Sequence, residues 1–330
     1  MTPIVLYLVT IAVYFVIYNI LVLGLNIQFG YAGLLNFTYI TFVAIGAYLA
    51  GVTALGRAPG GLTQIQYIFG LGLPFPADLV VGALGAGALG LVIGFVALRR
   101  LRSDYTAIVM VSLGEIVFAT VGNQTNLFNG QTGLLDVPQP LAGNLNLSFN
   151  NYQLFFLALS TAIMLVLWLA ANRIYHSPFG RTLRAIRDDE DAAAGFGKSV
   201  FTYKMTAFVV GCVYAGIGGA LTMEYLTAWS PGAWAPSETF IVWSAMLVGG
   251  RANNWGAILG SFLVPILFIE ATRFLPPVSG HPVLIDSVRG VVIGLLVLGT
   301  LWWRPQGLLP ERRRFIRLSV GHREEAVTNV

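Results

Sequence analysis

The side chains that could do chemistry in this chain are few and scattered. Its three histidines, His176, His281 and His322, are too far apart to suggest a metal site. The single cysteine, Cys212, lies in an apolar run, which rules out a disulfide framework and suits a small packing residue. Glu115 stands in the middle of a long apolar stretch. An ionisable group there either lines a polar path or bonds to a neighbouring helix. Glu224 lies near the end of another such stretch. Glu270 with Arg273 and Asp286 with Arg289 have the i, i+3 spacing that lets two charges neutralise each other on a helix. Gly197-Lys198-Ser199 resembles the end of a phosphate-binding loop. The full pattern needs glycine at position 192, which is Ala192, and a strand before it, and the acids at 188–191 would repel phosphate. No His, Asp, Glu and Ser set has a catalytic spacing. These residues therefore predict a protein that is not an enzyme and carries neither cofactor nor metal.

The remaining chemistry is concentrated in one polar island, residues 172–204, between two apolar runs. Ser177 can cap a helix, and Pro178 is tolerated at its first position. Arg181, Arg184 and Arg187 follow at intervals of three. A second start signal comes from Asp188, Asp189, Glu190 and Asp191, since acids complement the positive end of a helix dipole. Ala192, Ala193 and Ala194 favour helix, and Gly195 and Gly197 can end it. The pattern predicts a short helix, acidic at its start and smooth along its middle. A smooth alanine surface lets a partner pack closely; a solvated loop with one helical turn is the alternative.

The elements that hold this island are membrane spans. The 330 residues are 56% hydrophobic and 10% charged, with mean hydropathy +0.74, whereas soluble domains are about one quarter charged. The bilayer must therefore be the solvent. A span needs about 20 apolar residues, and candidate spans fall at 4–25, 34–55, 77–98, 105–122, 152–171, 205–226, 238–250, 256–275 and 284–303. The expected fold is an all-α polytopic membrane protein of about 8–10 transmembrane helices. The turn at 26–33, with Gly30 and Gly33, is a candidate broken or re-entrant element. Basic residues cluster at 99–102, 173–204, 251 and 304–323, which hold 16 of the 19 in the chain. The positive-inside bias then puts these loops and the C-terminus in the cytosol. Residues 123–151, rich in Asn, Gln, Gly and Pro, form a turning loop on the other side, either solvated or a docking surface. Gly82, Ala86, Gly90 and Gly94 make a small-residue stripe suited to close helix packing. Residues 1–311 are expected to form one transmembrane domain, with 312–330 a basic cytosolic tail.

Gly180-Arg181-Thr182-Leu183-Arg184-Ala185-Ile186-Arg187-Asp188-Asp189-Glu190, with Ala192-Ala193 and Gly197, resembles the cytosolic coupling loop of ABC-importer permeases for branched-chain amino acids. Three further stretches agree in order. Gly30-Tyr31-Ala32-Gly33-Leu34-Leu35-Asn36-Phe37, continuing to Gly46-Ala47-Tyr48, is similar to the family's early span. Leu101-Arg102-Ser103-Asp104-Tyr105-Thr106-Ala107-Ile108-Val109 with Gly114-Glu115-Ile116 is similar to the segment that distinguishes the LivM-type subunit from the LivH-type. Arg304-Pro305-Gln306-Gly307-Leu308-Leu309 is similar to the C-terminal signature. Phe37-Thr38-Tyr39 departs from a polar Gly-His pair common in the family, and Arg251-Ala252-Asn253-Asn254 departs from a more glycine-rich turn.

The resemblance implies one half of a transmembrane pathway in a bacterial or archaeal plasma (inner) membrane. It implies a second LivH-type permease, two cytosolic ABC ATPases and an external or periplasmic amino-acid-binding protein, with no role for nucleic acid. Arg184, Arg187, Asp189, Glu190, Ala192, Ala193 and Gly197 would then form the ATPase-coupling site. Gly30, Gly33, Asn36, Thr38, Tyr39 and Glu115 are candidates for the substrate path. Two other readings stay open here: a stand-alone secondary transporter or channel that uses Glu115, and an ABC importer for urea or short amides.

Overall fold

A computed structural model describes residues 2–56, 70–100, 103–145, 147–235, 238–268, 270 and 284–311, without the side chains of residues 100, 103, 104, 144, 268, 284–287 and 289. The described residues are helical, with two isolated bridges, Gly56 with Leu71 and Leu134 with Trp229. Arg273 and the tail 312–330 lie outside the described residues, and Asp286 and Arg289 are described without their side chains, so of the two expected pairs only the Glu270 side chain is described. That carboxylate accepts a hydrogen bond from the Tyr7 hydroxyl.

The helices follow the hydropathy pattern closely, with two departures. Helix α1 spans Pro3–Leu25 and runs on as a π turn over Asn26–Tyr31. Helix α2 spans Tyr39–Ala54, α3 Ala77–Arg100 and α4 Ser103–Asn123. Two single turns, α5 (Thr125–Phe128) and α6 (Ala142–Leu145), interrupt the loop before α7 (Phe149–His176). The polar island holds α8 (Pro178–Asp188) and α9 (Glu190–Gly195), and α10 covers Val200–Leu226. Then come α11 (Thr239–Gly249), α12 (Asn254–Phe262) with a π turn over Leu263–Phe268, and α13 (Leu284–Trp303). Five helices among the described residues are long and apolar enough to cross a membrane, and the chain is a multi-pass membrane protein.

The first departure is the expected span 34–55, which is helical only from Tyr39. The second is the expected span 238–250. Its 11-residue helix is about 16 Å long, half the thickness of the hydrocarbon layer. In both places non-helical backbone inside the bundle is tolerated because protein, not lipid, surrounds it.

Helix α10 is the centre of the bundle, packed between α2 and α3, and 61% of its apolar window is buried. Its approach to them is glycine against glycine. A Cβ added to Gly46 of α2 would meet the Gly216 Cα of α10 at 2.3 Å. The predicted stripe of α3 faces this seam: Gly82 lies on Gly46, Ala86 on Gly216, Gly90 on Cys212, and Gly94 on Met205 and Phe208. Helices without side chains at the contact approach closely enough for dispersion to hold them where the hydrophobic effect does not act. Cys212 is thus a buried packing residue. By contrast, α7 buries only 17% of its apolar window and α4 only 28%.

Candidate functional site

Among the described residues, Arg99, the basic residues of the polar island, Arg251 and Arg304 lie at one end of the bundle, where α3, α7, α11 and α13 end and α4, α10 and α12 begin. Two candidate regions lie there: the break between α1 and α2, and the polar island.

The break opens with the π turn. Gly33, at φ +70°, turns the backbone, a conformation that side chains disfavour. From there the chain runs without helix to Tyr39, and a set of buried polar side chains holds it. Asn36 Nδ2 donates to Gln28 Oε1 at 2.9 Å, and Asn36 Oδ1 accepts from the Thr38 amide at 3.0 Å. The Asn36 carbonyl accepts from Trp243 Nε1 of α11 at 2.9 Å. Gln28 Nε2 donates to the Phe208 carbonyl of α10 at 2.7 Å. The Thr38 hydroxyl donates to the Met110 carbonyl of α4, and the Tyr39 hydroxyl to the Leu21 carbonyl at 2.8 Å. The Ile40 amide reaches Thr239 Oγ1, the first residue of α11, at 3.2 Å. Asn36, Thr38 and Tyr39 are all buried. Unpaired polar groups at this depth would each cost several kcal/mol, of order the penalty in hydrocarbon. Tertiary partners therefore replace the missing helix bonds and fix the break in one conformation.

The two interruptions of the bundle are joined through these contacts. The α1–α2 break meets α11 at Thr239 and Trp243, and the Phe37 ring stacks on Trp243 at 5.1 Å. At its other end α11 closes on the 250–254 turn. There Asn26 Oδ1 accepts from the Ala252 amide at 2.7 Å, and the Tyr31 hydroxyl donates to Asn254 Oδ1 at 2.5 Å. The C-terminal signature adds to the same corner. The Leu308 and Leu309 amides donate to the Val248 and Gly249 carbonyls at 2.9 and 3.0 Å. Asn253 Nδ2 donates to the Leu309 and Pro310 carbonyls. The sequence departure Arg251-Ala252-Asn253-Asn254 thus supplies the two asparagines that bind the break and the C-terminal segment.

Glu115 is not part of this cluster. Gly114 packs on Thr38, while Glu115 points the other way and is exposed on α4, beside exposed Ser112, Ala119 and Asn123. It makes no hydrogen bond or ion pair among the described residues. Glu224, by contrast, is fully buried beside the carboxyl of Asp78 on α3.

The polar island folds as its local signals dictate. Ser177 Oγ accepts from the Gly180 amide at 3.1 Å and caps α8; Asp189 Oδ1 accepts from the Ala192 amide at 2.9 Å and caps α9. Gly197, at φ +74°, turns the chain away after α9. Asp189, Glu190, Ala192, Ala194 and Gly197 are exposed, but Ala193 is 6% exposed and faces inward. Glu190 pairs with Lys204 of α10. Arg184 and Arg187 also turn inward, toward Tyr175, Gly30 and Glu311. Arg181 is exposed.

One exposed residue escapes the sequence reading. Phe196, at the C-cap of α9, is 85% exposed. A phenylalanine between Gly195 and Gly197 in a polar loop was the available signal. A large aromatic held out in water on a capped helix has the form of an interface anchor.

Comparison with known proteins agrees with this architecture. A family model described as "Branched-chain amino acid transport system / permease component" matches residues 7–301. The permease protein LivM of the high-affinity branched-chain amino acid transport system of Escherichia coli (strain K12) is 32% identical, over 95% of this chain and 72% of that protein. A probable branched-chain amino acid transport permease protein LivM of Methanocaldococcus jannaschii is 26% identical, over 92% of this chain and 93% of that protein. A probable LivH of the same organism is 25% identical, over 88% and 87%. No solved structure matches the chain significantly. A bundle with a pinned break and a capped basic-end loop, matched along nearly its whole membrane part, belongs to the branched-chain amino acid transport permease family.

Proposed function

We propose that this chain is one transmembrane half of an ATP-driven importer for branched-chain or other small apolar amino acids, LivM-type, paired with a LivH-type permease. Two separate ATPases drive it, and an external binding protein delivers the substrate. The observation that carries this reading is the α9 loop: a helix capped at Asp189 that holds Ala192, Ala194 and Phe196 outward, clear of the bundle. Such a surface accepts a groove of a partner and has no evident use in a chain that works alone. The names of the relatives, permease components of transport systems, support it. In this reading Asp189, Glu190, Ala192, Gly197 and Phe196 meet the ATPase. Ala193, Arg184 and Arg187 hold the loop to the bundle from behind.

The basic end then faces the cytosol, together with the C-terminus. The Lys and Arg bias supports this, as do Trp302 and Trp303, 84% and 82% exposed beside Arg304, where interfacial tryptophans are expected. The break from Gly30 to Tyr39 shapes the substrate path by holding backbone open inside the bundle. Glu115, which faces away from the break on the outer side of α4, lines a water-accessible surface shared with the second permease, since an ionisable group facing lipid costs about 2.5–3.5 kcal/mol at the bilayer centre. Residues 1–311 work as one domain.

Reconstitution with the partner permease, the ATPases and the binding protein tests the reading. ATP-dependent uptake of leucine, isoleucine or valine is expected, with loss of ATPase association when Phe196→Ala is introduced. Uptake by this chain alone on an ion gradient would refute it. Glu115→Gln is expected to cut uptake while ATPase stimulation persists.

A further inference from the structure

Arg187 lies in the last turn of α8, two residues before Asp189, the cap of α9. Its guanidinium donates to the Gly30 carbonyl in the break, 157 residues away. The last carbonyls of a helix lack intrahelical donors, and Arg187 supplies one to the end of the π turn. The same guanidinium pairs with Glu311 at 2.9 Å, just past the C-terminal signature. Its stem lies against Gly33, where an added Cβ would come within 3.0 Å of Arg187 Cγ. Arg184, one turn earlier, reaches Glu311 at 3.8 Å and stacks over the Tyr175 ring at 4.1 Å. Tyr175 in turn lies beside Tyr31, whose hydroxyl holds Asn254. The side chains of Arg187 and Glu311 are only 16% and 15% exposed.

We propose that Arg187, fixed by Glu311, is the positioning residue that carries displacement of the α8–α9 loop to the Gly30–Tyr39 break. The proposal rests on α9 being the ATPase contact. Helix α8 cannot tilt without pulling the Gly30 carbonyl or breaking two charge-assisted hydrogen bonds in a partly buried corner, where such bonds are stronger than in open water. The break cannot relax locally, because Asn36 and Gln28 tie it to α10 and α11. A push on the loop therefore moves the break as a body, the kind of bistable packed element that switching transitions use. The inward turn of Arg187 follows from this role: the residue serves the internal joint, and the ATPase meets the face beyond it.

The test uses the full chain assembled with its permease, ATPase and binding-protein partners in liposomes, and reads substrate taken up per ATP hydrolysed. Arg187→Met is expected to lower that ratio roughly tenfold, within the range of coupling between sites, with assembly and ATP hydrolysis retained. Arg187→Lys keeps one donor for Gly30 and is expected to recover part of it, and Glu311→Gln to fall between. An unchanged ratio in Arg187→Met overturns the proposal, as does an equal fall in uptake and hydrolysis through lost assembly. If Arg187→Met does not accumulate, an unchanged ratio in Glu311→Gln overturns it. Phe196→Ala and Ala194→Trp separate the two ideas. If both variants bind and couple to the ATPases normally, the docking reading of α9 fails, whatever Arg187 does.

Discussion

The break at Gly30–Tyr39 and the loop around α9 are both interruptions of a helical membrane protein, yet they are built in opposite ways. In the break, the side chains of Asn36, Thr38 and Tyr39 are buried and bonded to α1, α4 or their own turn, and the Asn36 carbonyl is bonded to α11. In the α9 loop the caps are satisfied locally, and Ala192, Ala194 and Phe196 are left facing water. The difference follows from solvent. Non-helical backbone within the membrane survives only when protein satisfies it. The α9 loop projects beyond the bundle, where water satisfies its backbone, so its surface is free to suit a partner.

The comparison can be broken or sharpened by substitution, in order of falling effect. Asn36→Leu leaves Gln28 Oε1 and the Thr38 amide without their buried partner. At about 1–3 kcal/mol for each group, thermal unfolding in detergent should show a loss of several kcal/mol or no folded protein. Near-neutral stability would mean that water reaches the break. Phe196→Ala should act on the partner alone. Truncating an anchor typically costs about 2 kcal/mol or more of binding, read as weaker ATPase association by titration. The chain's own melting should shift by no more than about 0.5 kcal/mol; a larger shift would show that Phe196 packs within the chain.

The alanines divide the same way. Ala193→Trp forces an indole into a buried position and should cost roughly 1–3 kcal/mol of stability. Ala194→Trp should leave melting unchanged and disturb only docking. Asp189→Ala removes the α9 cap and should cost about 1 kcal/mol, seen as faster hydrogen exchange at the Ala192 amide. Smallest is Lys204→Ala. Its pair with half-exposed Glu190 is of the surface kind, about 0–1 kcal/mol and weaker in salt.

Much of this was legible in the chain. The long spans appear as apolar runs because burial in lipid is a property of local composition. The two island helices could be read from Ser177, Pro178 and the acids at 188–191, because caps act over three residues. The stripe Gly82, Ala86, Gly90, Gly94 marked a packing face through its spacing of four, although it did not say that α2 and α10 would fill that face. Span 34–55 is longer in apolar content than in helix: Leu34, Leu35 and Phe37 are apolar but lie before the helix starts at Tyr39. Phe196 is marked in the sequence only by its place between Gly195 and Gly197, and that spacing does not say whether the ring packs inward or stands in water. Ala192 and Ala193 looked equivalent until α8 and α10 took one face of α9.

The sequence by itself determined the solvent, the number and order of most spans, the capped loop and the family to which the chain belongs. All of these rest on composition or on residues a few positions apart. Only the tertiary structure decided that Asn36 is a knot tied to α11, that Glu115 points out of the bundle, and that Arg187 turns in to the Gly30 carbonyl. Those facts depend on partners up to 207 residues distant. Whether a polar side chain ends bonded or free is set by which neighbour arrives opposite it, and packing alone makes that choice.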